Sequence, residues 1–215
     1  MTDRGQLSRS KKKEVTLSNS TIVPIRPSRS RDARLERKEV LLNGAAEVFA
    51  RHGLRDTTME AVADSLNVAK VILYRNFASK DDLIHSILER IVEKLIALDA
   101  GPEESFAIRA LDTIALARLE SAAFQMLARD ARNDPIFGDH YQRVHETIST
   151  RVKTKLLGIS MDPIMAQISA GAITDFCLNG ALNWIEIGSP ERDHEYGEWV
   201  AIGIKTMGDA WRKQF

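Results

Sequence analysis

A chain of 215 residues with 44% hydrophobic and 28% charged side chains has the composition of an ordinary folded protein, long enough to bury a core. It contains no run of about 18 apolar residues, which excludes a bilayer-spanning helix, and the apolar stretch Thr21 to Ile25 is too short for a signal-peptide core, so a cytoplasmic protein is expected. The formal net charge is zero but unevenly placed: residues 1–80 carry 16 Lys and Arg against 9 Asp and Glu (+7), and residues 81–215 carry 14 against 21 (−7). One end is attracted to a polyanion and the other repelled by it. Cys177, the single cysteine, excludes an internal disulfide and, in an apolar helical stretch, reads as a small buried hydrophobe.

Residues 1–31 are rich in Ser, Lys and Arg, hold Pro24 and Pro27 and show no apolar period, which predicts a disordered basic arm. From Arg34 the pattern turns helical, with Leu41, Ala45, Val48, Phe49 and His52 in register and Gly53 placed as a left-handed stop. Thr57-Thr58-Met59-Glu60 predicts a capping box, Thr57 accepting a backbone N–H and Glu60 reaching back, ahead of a short second helix on Met59, Val62, Ala63 and Leu66. Asn67 tolerates the left-handed turn conformation, and a third short helix runs from Ala69 to about Asn76. Ser79 and Asp82 open a long fourth helix with the stripe Leu83, Ile84, Ile87, Leu88, Ile91, Leu95 and Leu98. Two short helices joined by a tight turn and buttressed by longer ones describe a helix-turn-helix.

Beyond Gly101-Pro102 the punctuation stays helical. Asp134-Pro135, Asp162-Pro163 and Ser189-Pro190 each set a capping side chain before a proline, while Gly158 and Gly188 mark stops; helices are expected near 103–118, 120–132, 135–157, 163–187 and 190–213. No strand alternation competes, so the expected fold is all-α with about nine helices: a three-helix head over 32–80 and a helical module over 81–215.

Residues 53–83, GLRDTTMEAVADSLNVAKVILYRNFASKDDL, resemble the DNA-binding domain of the tetracycline-repressor (TetR) family at Gly53, Thr57, Thr58, Ala63, Val68, Leu73, Tyr74, Phe77, Ser79, Lys80 and Leu83. The match extends over about 50 residues, 34–83. The resemblance implies that the third helix enters the major groove, with Lys70, Val71, Ile72, Tyr74, Arg75 and Asn76 facing bases or flanking phosphates while Leu73 and Phe77 pin the helix to the core. Lys70 is expected on a guanine edge, Val71 or Ile72 on thymine methyls, and Tyr74 on the backbone. Thr57, Thr58 and Lys80 fall where phosphate contacts belong. The chain departs from the family at Ala69, which cannot cap, and at β-branched Val71, so an operator sequence does not carry over from a relative.

The same resemblance implies a C-terminal module that dimerises and senses a small molecule, giving double-stranded operator DNA, a second copy and an effector as partners and a repressor as the function. Trp199, Ile202, Met207 and Trp211 share a stripe suited to a dimer interface. Phe106, Phe124, Met126, Phe137, Tyr141, Phe176 and Trp184 with Arg129, His145, Asp175 and Asn179 make an apolar wall with few polar groups, expected to hold a hydrophobic or aromatic effector with an acid group at Arg129. Two other readings stay open. A DNA binder without a sensor requires a solid C-terminal module. An enzyme requires a catalytic constellation, and although Asp139, His140, His145 and Glu146 cluster, the two histidines lie five apart on a helix and point roughly 140° from each other. No phosphate loop, nucleophile elbow or metal-binding helix motif occurs, so no catalytic residue, metal or cofactor is expected.

Overall fold

The computed structural model describes residues 29–101 and 105–214, with side chains described for 33–101 and 105–211. The arm expected over 1–31 lies outside the described residues as far as residue 28. Helix α1 (Arg29–His52) already takes in the rest, so it starts five residues before the Arg34 read from the apolar pattern. Charged, exposed residues such as Glu36 and Arg37 open α1 and carry no apolar stripe, which is why periodicity missed its first turns.

The head is built around α1. Leu41, Leu42, Ala45, Val48 and Phe49 are buried on one side of it, and Gly53 ends it at φ +86°, its N–H donating to the Phe49 carbonyl at 2.7 Å. Helix α2 (Met59–Ser65) is capped one residue later than expected. The Thr58 hydroxyl accepts from Ala61 N–H at 3.1 Å, whereas Thr57 turns inward and donates to the Gly53 carbonyl at 2.8 Å. Asn67 takes the left-handed turn at φ 51°, and α3 (Lys70–Asn76) follows with Ala69 at its uncapped N-terminus. Ser79 caps α4 (Lys80–Asp99), and Asp82 returns a bond to the Ala78 N–H at 2.7 Å.

The rest is a helical bundle: α5 (Phe106–Leu119), α6 (Ser121–Gln125) continued by a π-helical turn (Met126–Ala131), α7 (Gly138–Gly158), α8 (Pro163–Ile187), a 3₁₀ turn (Pro190–Arg192) and α9 (Asp193–Gln214), with no strand among the described residues. Helix α7 starts three residues later than the expected 135 because the Asp134 carboxylate accepts from Ile136 and Phe137 N–H groups and holds that stretch as a turn. Helix α7 packs along α8 and α5 along α9, while α4 runs from the head into the bundle, touching α1 at one side and α5 and α7 at the other.

Charged contacts fasten head to bundle. Arg90 of α4, half-buried, bridges Glu39 of α1 at 2.6 Å and Glu120, before α6, at 2.7 Å. Arg55 after α1 forks onto Asp134, and Arg129 in the π turn donates to the Ala50 carbonyl at 2.9 Å.

Candidate functional site

Helix α3 shows how the head presents an outer face. Leu73 and Phe77 are fully buried and fix its rotation, which leaves Val71 (53% exposed), Ile72 (39%) and Tyr74 (46%) turned outward beside Lys70 and Arg75. Apolar side chains kept in water on one short helix are a feature that packing inside this chain does not explain. Lys70 lies 5.5 Å from the centre of the Tyr74 ring and pairs with Glu60 of α2. Asn76 is less available than its neighbours, since its amide donates to the Ile72 carbonyl at 2.7 Å and closes the helix end.

Two of the expected phosphate contacts have other partners. Thr57 is 2% exposed and spends its hydroxyl on Gly53, so only Thr58 of the pair stands at the surface. Lys80 donates to the carbonyls of Leu54 and Arg55, both at 3.0 Å, and ties the loop after α1 to the start of α4. A lysine there neutralises loop carbonyls that face no other donor in the helix ladder.

The bundle encloses a cavity of about 80 Å³ between α4, α5, α7, α8 and α9. Its walls are mainly apolar: Leu95 and Leu98 from α4, Phe106 and Ala110 from α5, Ile148 and Val152 from α7, Ile173, Cys177 and Leu178 from α8, Val200 and Ile204 from α9. Burial pushes the Cys177 thiol up to about 12, which keeps it a neutral, unreactive wall group.

Of the eleven residues expected to wall an effector site, Phe106 lines this cavity and the other ten, Phe137, Trp184 and Asp175 among them, do not. Phe124 and Met126 are fully buried in the core near the head. Arg129 points to the head and to Asp130 and Glu186, so no acid group meets it in the cavity. Tyr141, His145 and Asn179 gather around Asp175 and Arg132: Arg132 donates to Asp175 and Asn179 at 2.9 Å each, Tyr141 donates to Asp175 at 3.3 Å, and His145 lies 3.7 Å from it. Burial pushes the Tyr141 hydroxyl up to about 12, so it stays a donor in this network. Phe176 packs against Trp199 with the rings tilted, 5.4 Å between centres, at the outer side of α8 and α9. Helical spacing reports which residues are apolar and in register; it does not report which way the bundle rotates each stripe.

The expected dimer stripe divides in the same way. Trp199 and Ile202 are 57% and 65% exposed, whereas Met207 and Trp211 are half-buried against the core.

Residues 41–87 match the family described as bacterial regulatory proteins, tetR family. A transcriptional regulator of Mycobacterium tuberculosis is 24% identical over 140 residues, 60% of this chain and 59% of the relative. The activator FasR of Mycolicibacterium smegmatis is 39% identical over 64 residues (30% and 29% of the two chains), and the repressor KstR2 of Mycobacterium tuberculosis 38% over 61 residues (28% and 30%). The fold is that of a TerR/AcrR-family regulator from Aquifex aeolicus, with a TM-score of 0.63 at 22% identity over 79% of this chain and 98% of that one. Residues 41–87 thus form a head of the tetR-family type.

The family match covers residues 41–87, and the chain spans only 59% of the length of its first relative and under a third of the other two. The bundle is therefore read from its own residues. Those that the sequence did not single out are Arg109, Thr113, Arg151, Lys155 and Tyr196, all of which line the cavity. Each is a polar or charged residue on an otherwise amphipathic helix, where the default reading is a solvated face. The one signal available was Arg151 and Lys155 at i and i+4 on α7, a spacing that places both on one side.

Proposed function

We propose that this regulator is a cytoplasmic homodimer that represses transcription by seating α3 of each copy in the major groove of an operator, and that a hydrophobic effector in the bundle cavity releases it. The observation that carries the reading is the outer face of α3, where Val71, Ile72 and Tyr74 stay in water beside Lys70 and Arg75. Lys70 meets a base edge, Thr58 with the free N–H groups of α2 a phosphate, and Tyr74 the backbone. Trp199 and Ile202 on α9, adjoining Phe176 on α8, supply an apolar face for a second copy.

Helix α4 supports the link between cavity and head. Its last turns carry Leu95, Leu98 and Asp99 on the cavity wall, and its first residue, Lys80, holds the loop between α1 and α2. The cavity, at about 80 Å³, is smaller than the roughly 150 Å³ that holds a benzene in a dry protein interior. An effector larger than that enters by displacing α4 or α5 and α7, and the displaced form is the one it binds best. The small cavity equally favours a second reading, a DNA binder with no sensor.

Selection of bound sequences from a random oligonucleotide pool with the full chain is the test. A two-fold symmetric consensus, with half-sites about 34–36 Å apart and lost on Lys70→Ala, is expected. Recovery of no consensus removes the operator. A thermal-shift screen for compounds that stabilise the protein and free that operator then separates the two readings.

A further inference from the structure

The two ends of the cavity differ. Where α4 stops, three cations line the wall, Arg109 from α5 and Arg151 and Lys155 from α7, beside one lining carboxylate, Asp99. Arg109 donates to the Leu98 carbonyl, and Arg151 to the Asp99 carbonyl and carboxylate, which fixes both guanidiniums at the rim. Lys155 sits 5.2 Å from the centre of the Phe106 ring, another wall residue. A cationic rim on an apolar chamber orients a ligand by its charge.

At the α8 and α9 end stands Tyr196. It is 7% exposed, lines the cavity, and its hydroxyl finds no hydrogen-bond partner among the described residues. Burial first, and Cys177 second, raise its ionisation well above the ordinary range, so it remains a neutral phenol able to donate. Gly180 faces this hydroxyl: a Cβ there would stand 2.6 Å from it. Buried hydroxyls are almost always bonded, so this lone one, lying against Gly180 on a residue that lines the cavity, is a donor left over for an acceptor on a bound molecule.

We propose that the cavity takes an apolar carboxylic acid bearing a second oxygen, its carboxylate at the Arg109, Arg151 and Lys155 rim and its distal oxo or hydroxy oxygen accepting from Tyr196. This rests on the effector-sensing reading above and names the chemistry of that same site. Leu95, Ile173, Leu178 and Val200 cover the body between the two anchors. The class replaces the Arg129 acid contact read from the sequence.

The test uses the full chain and three parallel series of six to twelve carbons: ω-hydroxy acids, plain fatty acids and their methyl esters. Titration calorimetry reads affinity, and fluorescence of Trp184, stacked 4.8 Å from Tyr196, reads occupancy. The expected order is hydroxy acid over plain acid over ester, with acid and ester about tenfold or more apart, the scale of a charge-assisted hydrogen bond. Lys155→Met should bring acid and ester together while Lys155→Arg keeps them apart, circular dichroism checking that each variant folds. Tyr196→Phe should erase the preference for the hydroxy acid and, without ligand, leave the melting temperature equal or higher, because a lone buried hydroxyl has been removed. Esters binding as well as acids, or plain acids as well as hydroxy acids, overturns the proposal but leaves a sensor. Binding by no member of any series, with no operator release, overturns the sensor too.

Discussion

Lys70 is held by Glu60 and covers Tyr74, and both ends of that ion pair are about half exposed, so the pair contributes little to stability. Its consequence lies in binding: before Lys70 reaches a base it must leave Glu60, and the carboxylate left behind repels nearby phosphates. Glu60→Gln is therefore expected to tighten binding to any DNA by about two- to fivefold, most at low salt where charges are least screened. Lys70→Ala should instead weaken operator binding by about 1–3 kcal/mol and relax base preference. Fluorescence anisotropy on operator and random duplexes across a salt series distinguishes the two. Equal losses on both duplexes after Lys70→Ala would place Lys70 on a phosphate rather than a base. Lys80, bonded to two loop carbonyls, behaves differently again: Lys80→Gln should lower the melting temperature and weaken all DNA while leaving the salt slope unchanged, because no phosphate contact is removed.

At the scale of elements, the α4–α7 contact carries a proton-sensitive joint. His85 Nδ1 lies 2.8 Å from His140 Nε2, with Phe137 edge-on to His85, Glu89 3.4 Å from His140 and Arg143 forked onto Glu89. Burial, then the neighbouring His85, holds His140 below the ordinary histidine range, Glu89 and Asp139 opposing and Arg143 adding to the shift. The unfolded chain thus takes up a proton at higher pH than the folded one. Stability on this account is full above the model-peptide value of about 6.5 and falls as pH drops from there toward the lowered folded value. The Arg143 bond acts in another window, since it lowers Glu89 and its contribution fades only below about 4.5, the ordinary glutamate range. Chemical denaturation from pH 7.5 to 5 should show the loss, and His140→Asn should flatten it. A profile unchanged by that substitution would place the titrating group elsewhere. The histidine pair also marks the limit of what the sequence made legible. Element order, the Gly53 and Asn67 turns and the Ser79 cap are local, and local chemistry encodes them. His85 and His140 lie 55 residues apart, and what joins them is the rotation of α4 against α7, which no spacing within either helix contains. The same cause displaced the effector wall from Phe124, Met126 and Arg129 to Arg109, Lys155 and Tyr196. The Thr57 and Thr58 assignment differs by one residue for a local reason: Thr57 donates to the Gly53 carbonyl four residues back, which leaves Thr58 as the cap.

The whole molecule pairs a helix-turn-helix head with an outer face of α8 and α9 that this chain leaves open. Ile164 and Ile168 on α8 and Trp199 and Ile202 on α9 are between 57% and 71% exposed, and the Phe176–Trp199 ring contact joins the two helices at that surface. Apolar groups in such number on one pair of helices are costly in water and suit an isologous contact, in which each copy offers the same patch. Ile202→Glu sets a charge in the centre of that contact without touching the core, whereas Met207→Glu buries a charge in part of the bundle itself. The two substitutions should separate assembly from folding. Ile202→Glu is expected to sediment as a monomer, keep the parent helicity and melting temperature at matched low concentration, and lose operator affinity by orders of magnitude, because one head makes half the contacts. Met207→Glu is expected to lower the melting temperature whatever the assembly state. Sedimentation velocity with thermal melts at several concentrations reads both. An Ile202→Glu protein that remains a dimer with undiminished operator binding would move the contact to another face, and the open surface of α8 and α9 would then need a different occupant.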